Sequence, residues 1–166
     1  MVETLVAVAI LMIAVAGPLT IAQKGLTAAI YARDQVTASF LAQDAMEYVK
    51  NVRDYNLEQG NQWLLFLDQC SSAATQCSVD TMTPVTNSAI NIGCTDCSLY
   101  RSLNGGYTTN SSAGPKSQFS RTFYVDTTSN SNDPNNEATI VVTVSWSNGT
   151  VNNVVTFENQ IFNIQR

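Results

Sequence analysis

Val2-Glu3-Thr4-Leu5-Val6-Ala7-Val8-Ala9-Ile10-Leu11-Met12-Ile13-Ala14-Val15-Ala16-Gly17-Pro18 stands at the start of this chain, and no charge appears after Glu3 until Lys24. Thr4 to Gln23 is therefore an uncharged run behind a single carboxylate. Crossing the hydrocarbon of a bilayer takes about 20 helical residues at ~1.5 Å each, so the run is long enough to span it. A cleaved secretory signal is the competing explanation. Its apolar core is usually about 7–15 residues and ends in a small-residue cleavage site, whereas here the run is longer and the helical pattern continues past it. A carboxylate at the edge of hydrocarbon is costly, and by default it is a functional group in want of a partner.

Outward from the apolar run, the helical pattern continues to about Arg53. Ala28, Ala29, Ala32, Ala38, Leu41, Ala42, Ala45 and Met46 are strong helix formers, and no proline intervenes after Pro18. Ile30, Leu41, Ala45, Tyr48 and Val52 share a narrow arc of that helix, interrupted by Asp34, and predict a stripe lying against a sheet. Lys50 and Asp54 are spaced to pair at i,i+4 on the outer side. A helix of about 50 residues is ~75 Å long against a hydrocarbon core of ~30 Å, so roughly half of it must project and carry the C-terminal head. Gly17-Pro18 interrupts the helical hydrogen bonding at a cost of about 3 kcal/mol or more, which predicts a kink. The expected organisation is a membrane-spanning half-helix at 1–23, an amphipathic half at 24–53 and a head at 54–166.

Val2-Glu3-Thr4-Leu5-Val6-Ala7-Val8-Ala9-Ile10-Leu11 resembles the mature start of type IV pilins and the related type II secretion pseudopilins. Gly17-Pro18 sits roughly where that family places a helix-breaking proline, and Phe40-Leu41-Ala42-Gln43-Asp44-Ala45-Met46-Glu47 is similar to a segment of minor pilins. The resemblance covers about the first third of the chain. It departs from the family pattern at Met1, where a short basic leader ending in glycine is expected upstream. The resemblance implies a structural subunit of a filament, assembled through Glu3, Gly17 and Pro18. Glu3 would meet the α-amino group of a neighbouring subunit, and the proline segment would unwind as subunits pack. Its implied partners are other pilin subunits, the inner-membrane assembly machinery and the prepilin peptidase. Its implied location is single-pass in the cytoplasmic membrane with the head outside, then an extracellular filament. A secretion pseudopilin, a membrane-anchored adhesin and a DNA-uptake head are the alternatives.

Beyond Arg53, Trp63, Phe66, Leu67 and Cys70 are spaced for one face of a short helix. Ser71 to Asn91 is rich in Ser, Thr and Asn and reads as an irregular connection. Leu103-Asn104-Gly105-Gly106-Tyr107 carries a hairpin signal. Phe119, Arg121, Phe123 and Val125 alternate with polar residues across Gln118 to Asp126, as do Ala138, Ile140, Val142, Val144 and Trp146 before a turn at Ser147-Asn148-Gly149. Val151 to Ile164 is a last strand whose phase change near Gln160 suggests a bulge or bend. A long helix leading into an antiparallel meander is an α+β architecture. It also matches the pilin-like fold that the resemblance implies, with the helix's second half packed on the sheet.

The formal charge of −5 lies beyond residue 53. The earlier part balances Glu3, Asp34, Asp44 and Glu47 against Lys24, Arg33, Lys50 and Arg53. An acidic head disfavours nucleic acid as a bulk electrostatic partner, and Arg101, Lys116 and Arg121 read as scattered solvated charges. The chain has no histidine, the commonest general base and metal ligand, and it has neither a phosphate-binding glycine loop nor a nucleophile elbow. These features disfavour an enzyme, and no cofactor is expected.

Cys70, Cys77, Cys94 and Cys97 all fall in the loop-rich part of the head. An even number in an exported, loop-rich region points to disulfides, and short loops favour Cys70 with Cys77 and Cys94 with Cys97. Sequence alone leaves three pairings open, and a tetrathiolate zinc site competes. Asp133, Asn135 and Glu137 place oxygen donors at alternate positions, as a calcium loop would, although Asp-Pro-Asn-Asn is equally an ordinary turn. Asn110-Ser111-Ser112 and Asn148-Gly149-Thr150 match the glycosylation sequon, a short pattern expected by chance in Asn- and Ser-rich loops.

Overall fold

The computed structural model describes residues 2–86, 89–127, 136–149 and 151–164. One helix, α1 (Val2–Glu58), precedes seven strands: β1 (Cys77–Val79), β2 (Ile90–Ile92), β3 (Ser98–Arg101), β4 (Tyr107–Thr108), β5 (Lys116–Asp126), β6 (Glu137–Asn148) and β7 (Val151–Phe162). The architecture is α+β, a long N-terminal helix and an antiparallel sheet. The chain divides into two compact units, Met1–Val36 and Thr37–Arg166. The second unit thus takes in the C-terminal part of α1, upstream of the sequence-based boundary at 54, because that part of the helix packs into the core of the head.

In the first unit the apolar side chains of α1 are exposed throughout. Ile30, expected on the packed stripe, is 40% exposed, so the stripe begins later. The helix is continuous through Gly17 and Pro18, with no unwound segment there. Thr20 donates its hydroxyl to the Ala16 carbonyl at 2.9 Å and Thr27 to that of Gln23 at 3.0 Å. Each hydroxyl is thereby satisfied inside its own helix.

From Ala38 onward α1 buries a face of small and branched residues: Ala38, Leu41, Ala42, Ala45, Met46, Tyr48, Val49 and Val52. Alanines along the centre of that face let the helix approach the sheet closely, and they favour the helix they sit in. The expected Lys50–Asp54 pair does not form. Lys50 bonds Glu47 at 3.3 Å, and Asp54 is taken by Arg53 at 2.7 Å. The helix runs to Glu58, beyond the expected end, and stops at a glycine cap. Gly60 adopts φ +71°, its N–H meets the Leu57 carbonyl at 3.1 Å, and the Asn61 N–H meets that of Asn56 at 2.9 Å. That pair of bonds is the Schellman arrangement, which a residue lacking Cβ adopts at little cost.

Trp63, Leu67 and Cys70 are buried as expected, but not on a helix: turns lead to a single 3-10 turn at Asp68–Cys70. The fully buried Asn56 amide holds the turns by donating to the carbonyls of Leu65 (2.8 Å) and Trp63 (3.3 Å), and Phe66 takes φ +73°. These long-range bonds, not helical spacing, set the local path. The segment read as irregular from Ser71 to Asn91 contains β1 and the start of β2. Its polar residues hid strands of only three residues.

The Asn-Gly hairpin forms as expected, with Tyr100 opposite Thr108 and Arg101 opposite Tyr107. Strand order is β2-β1-β5-β3-β4, with β6 on β5 and β7 on β6. Inward-facing Phe119, Phe123, Val125, Ala138, Ile140, Val142, Val144, Trp146 and Ile161 meet the helix's small face in one core. The β6–β7 register runs from Asn148 opposite Val151 to Glu137 opposite Phe162 without a shift, so the bulge expected near Gln160 is absent. The apparent phase change is one of composition: polar Asn159 sits on the half-buried face, and apolar Phe162 sits on the exposed one. At Gly114 an added Cβ would lie 2.0 Å from the Arg101 carbonyl oxygen, so β3 and the entry to β5 can run this close only over a glycine.

Arg121, read as a solvated charge, is fully buried. Its Nη1 donates to the Leu41 carbonyl at 2.8 Å and to Asp44 Oδ2 at 3.2 Å, and Nη2 donates to the Val79 carbonyl at 2.8 Å. Thr81 donates to the same Asp44 oxygen at 2.5 Å. Burial pushes the guanidinium pKa down from its usual value, and the carboxylates of Asp44 and Asp80 oppose that shift. Removing the guanidinium loses two charge-assisted bonds to buried carbonyls, at about 1.5–3 kcal/mol each, and leaves a cavity, while Asp44, about half in solvent, is not stranded. Arg121→Ala is therefore expected to destabilise the protein by about 3–5 kcal/mol, and Arg121→Met by clearly less, because methionine fills the cavity. Chemical denaturation in mild detergent, monitored by tryptophan fluorescence, measures both.

Candidate membrane and assembly segment

The first unit is the candidate site. Val2, Leu5, Ile10, Leu11, Met12, Ile13 and Val15 each leave more than half of their surface in solvent, as do Leu19 and Ile21 further along. Apolar side chains exposed all round a helix are those of a segment whose natural surroundings are lipid or other helices. The helix is long and apolar enough to cross a membrane. Its backbone groups are satisfied internally, as hydrocarbon demands, except for the N–H groups of the first turn and where Pro18 removes a donor.

Glu3 lies in the first turn of α1, where a carboxylate is favoured by the helix dipole. None of the ion pairs among the described residues includes it. Lys24, the next base along the helix, lies about 30 Å away at ~1.5 Å per residue. Gly17 and Pro18 sit about four turns beyond the carboxylate, in mid-segment. An added Cβ at Gly17 or at Gly25 would meet nothing within 4 Å, so neither glycine is required by packing within this chain.

In the head all four cysteines are consumed by two local bridges, Cys70–Cys77 and Cys94–Cys97, with Cα separations of 5.9 and 5.3 Å. A tetrathiolate zinc site is thereby ruled out in this oxidised chain. Cys70–Cys77 ties the 3-10 turn to β1. The second bridge closes a tight loop before β3 and is held to β5 by Asp96, which accepts from Lys116 at 2.5 Å and from Ser98. Those bonds, Lys116 first, hold the Asp96 carboxyl below the usual carboxylate range. Both side chains are exposed, so the pair is a local tether. Of the calcium candidates, Asp133 and Asn135 lie outside the described residues, and Glu137 begins β6. Among the described residues no three His, Cys, Asp or Glu side chains converge. An open cleft of about 660 Å³ lies over Lys116, Ser120, Ser145 and Asn152 on the outer sheet face.

Sequence reasoning found the apolar run, Glu3 and the cysteines, but missed Arg121 and Asp44 as a structural pair. A signal for Arg121 was present: it occupies an inward position in the alternation of β5. Comparison with protein-family models, curated proteins and solved structures returns no match to this chain.

The head chemistry has two measurable consequences. Thiol titration of the denatured, unreduced protein should find no free thiol. Reducing the bridges should then lower stability by about 2 kcal/mol for each, the chain-entropy value for loops this short. Separately, Asp96 should titrate below about 3.9, the ordinary value of an unfolded aspartate, and Lys116→Gln should raise it. Because its folded pKa is depressed, the stability it contributes is present above the unfolded value. That contribution is lost as pH falls through the folded one. Carboxyl-carbon NMR reads the shift directly.

Proposed function

We propose that this chain is a structural subunit, a minor pilin, of a type IV pilus or a closely related filament. In this reading the N-terminal helix is a single-pass anchor in the cytoplasmic membrane, with the head outside, and after assembly it packs among the helices of neighbouring subunits. The observation that carries the reading is the pairing of two features in one helix. Residues 2–30 expose apolar side chains all round, whereas from Ala38 the same helix packs its small face on an antiparallel sheet. A soluble fold has no use for the first feature, and a simple anchor has no need for a helix continuous with the core of the head. The motif resemblance at Val2–Leu11 and the disulfide-closed loops, which suit an oxidising exterior, support it further.

Glu3 supplies the assembly chemistry. An ionised carboxylate taken into an apolar filament core costs several kcal/mol unless an opposite charge enters with it. Lacking a base nearby in its own helix, Glu3 takes its partner from the adjoining subunit, as an α-amino group. The pairing sets the axial register between subunits, since only one stagger brings the two charges together. Mid-helix Pro18 leaves one carbonyl without its helical donor, a place where the helix can loosen as neighbours pack.

Glu3→Val is expected to leave membrane insertion and the fold of the head intact while sharply lowering the amount of this subunit in sheared filaments. Membrane fractionation and immunoblotting of the sheared fraction, with thermal denaturation as the control for folding, measure this. Wild-type incorporation of the variant would overturn the role given to Glu3. A chain that never reaches the sheared fraction even as wild type would overturn the filament reading itself.

A further inference from the structure

Phe40 is the largest side chain among the described residues of the second unit to leave more than half of its apolar surface in solvent, at 66% exposed. It lies on the part of α1 that belongs to the head, beside the buried Leu41. Asp44 follows at i,i+4, so ring and carboxylate share one stripe of the helix. Facing that stripe are Met82, just after β1, and Gly106 and Tyr107 at the entry to β4. The space between them is an open groove of about 350 Å³, at the small end of ligand-binding sites. The Met82 sulfur lies over Gly106, where an added Cβ would be 3.5 Å from it. The Tyr107 ring is fixed by an edge-on contact with Phe119, centroids 5.8 Å apart.

Asp44 brings the groove its charge. Its Oδ2 accepts from Thr81 and Arg121, whereas Oδ1 accepts from none of the described residues, and about half of the side chain is in solvent. Arg121 does not cancel the local charge, because Asp80 acts on the same guanidinium and two carboxylates share one cation. None of the described residues that line the groove is basic. An apolar slot with aromatic walls thus ends in an unsatisfied carboxylate oxygen.

We infer that this groove receives an arginine side chain of a partner polypeptide. The guanidinium donates to Asp44 Oδ1 and lies against the Phe40 ring, and its methylenes run along Leu41 and Met82. A cation within about 6 Å of a ring centre is attracted by the ring's quadrupole, and a planar guanidinium stacks there and is more weakly hydrated than an ammonium. The other occupants fit less well. A neutral apolar side chain would take the carboxylate out of water without pairing it, and an acidic one would be repelled. Free arginine brings its own carboxylate into a groove with no base to receive it, whereas arginine within a chain carries no such charge.

NMR on the full chain in detergent micelles, with isotope-labelled methionine methyls, tests the inference. The Met82 methyl reports on the groove, and Met12 in the apolar run and Met46 in the core are internal references. N-acetylarginine amide should shift Met82 saturably and leave the other two in place. The lysine counterpart should bind more weakly. N-acetylcitrulline amide, which has the shape of arginine without its charge, should leave Met82 unmoved. Phe40→Ala should weaken arginine binding about two- to fivefold, as loss of an exposed cation–ring contact does, with the melting temperature unchanged. Because charge is varied on the ligand, the bond between Asp44 and Arg121 stays intact in every arm. A citrulline derivative that shifts Met82 as strongly makes the groove a neutral apolar slot and overturns the assignment. Free arginine that binds as tightly as the amide makes it an amino-acid site and overturns the partner chain. A Met82 signal indifferent to every probe, or binding unaltered in Phe40→Ala, overturns it as well.

Discussion

Arg121 is the contact on which the head depends, because its charged side chain is held without any exposure and it ties its own strand, β5, to two other parts of the chain. From β5 its guanidinium reaches the Leu41 carbonyl and Asp44 on α1, and the Val79 carbonyl at the end of β1. Dispersion between alanines and a sheet is weakly directional and would tolerate a helix sliding by a turn. A planar fork of donors with fixed acceptors does not. The apolar face supplies most of the driving force for packing, and the arginine selects one registration of helix on sheet. Asp44 keeps about half of its side chain in solvent, which limits the desolvation cost of the pair.

The second constraint is the opposite behaviour of the two ends of α1. Up to Val36 its apolar side chains are exposed among the described residues, and from Ala38 its small face is part of the core. A helix of this length could be stable alone only in part, since propagation is favourable but water competes for every backbone group. Lipid or neighbouring helices would remove that competition along the first part, and the sheet removes it along the second. Glu3 is the one charge ahead of Lys24. In the proposed filament the cost of taking it out of water is offset by a partner charge from a neighbouring subunit.

The disulfides brace the short strands at the margin of the core. Both close loops before strands of three or four residues, β1 and β3, which bury too little surface to hold themselves. The long strands β5, β6 and β7 need no such brace, because each pairs along its full length with a long neighbour or, at β7, presents a full length to one.

Sequence by itself determined the features that rest on local chemistry: the apolar run, the helix through Arg53, the alternation of β5 and β6, the Asn-Gly hairpin at Leu103–Tyr107 and the four cysteines as a disulfide set. Period and composition are local properties, and the hydrophobic effect acts on them wherever the chain goes. The end of α1 at Glu58, beyond the expected Arg53, came only with the structure, where Gly60 caps the helix. Tertiary structure alone decided the rest. It turned Arg121 from a surface charge into a buried clamp, because only the approach of α1 and β1 provides its acceptors. It made short strands of the polar stretches around Cys77 and Ile90, because pairing with β5 and with each other supplies what their propensity lacks. And it left β7 as the long free edge, since strand order, which no local pattern encodes, decides which of several similar strands lies outermost.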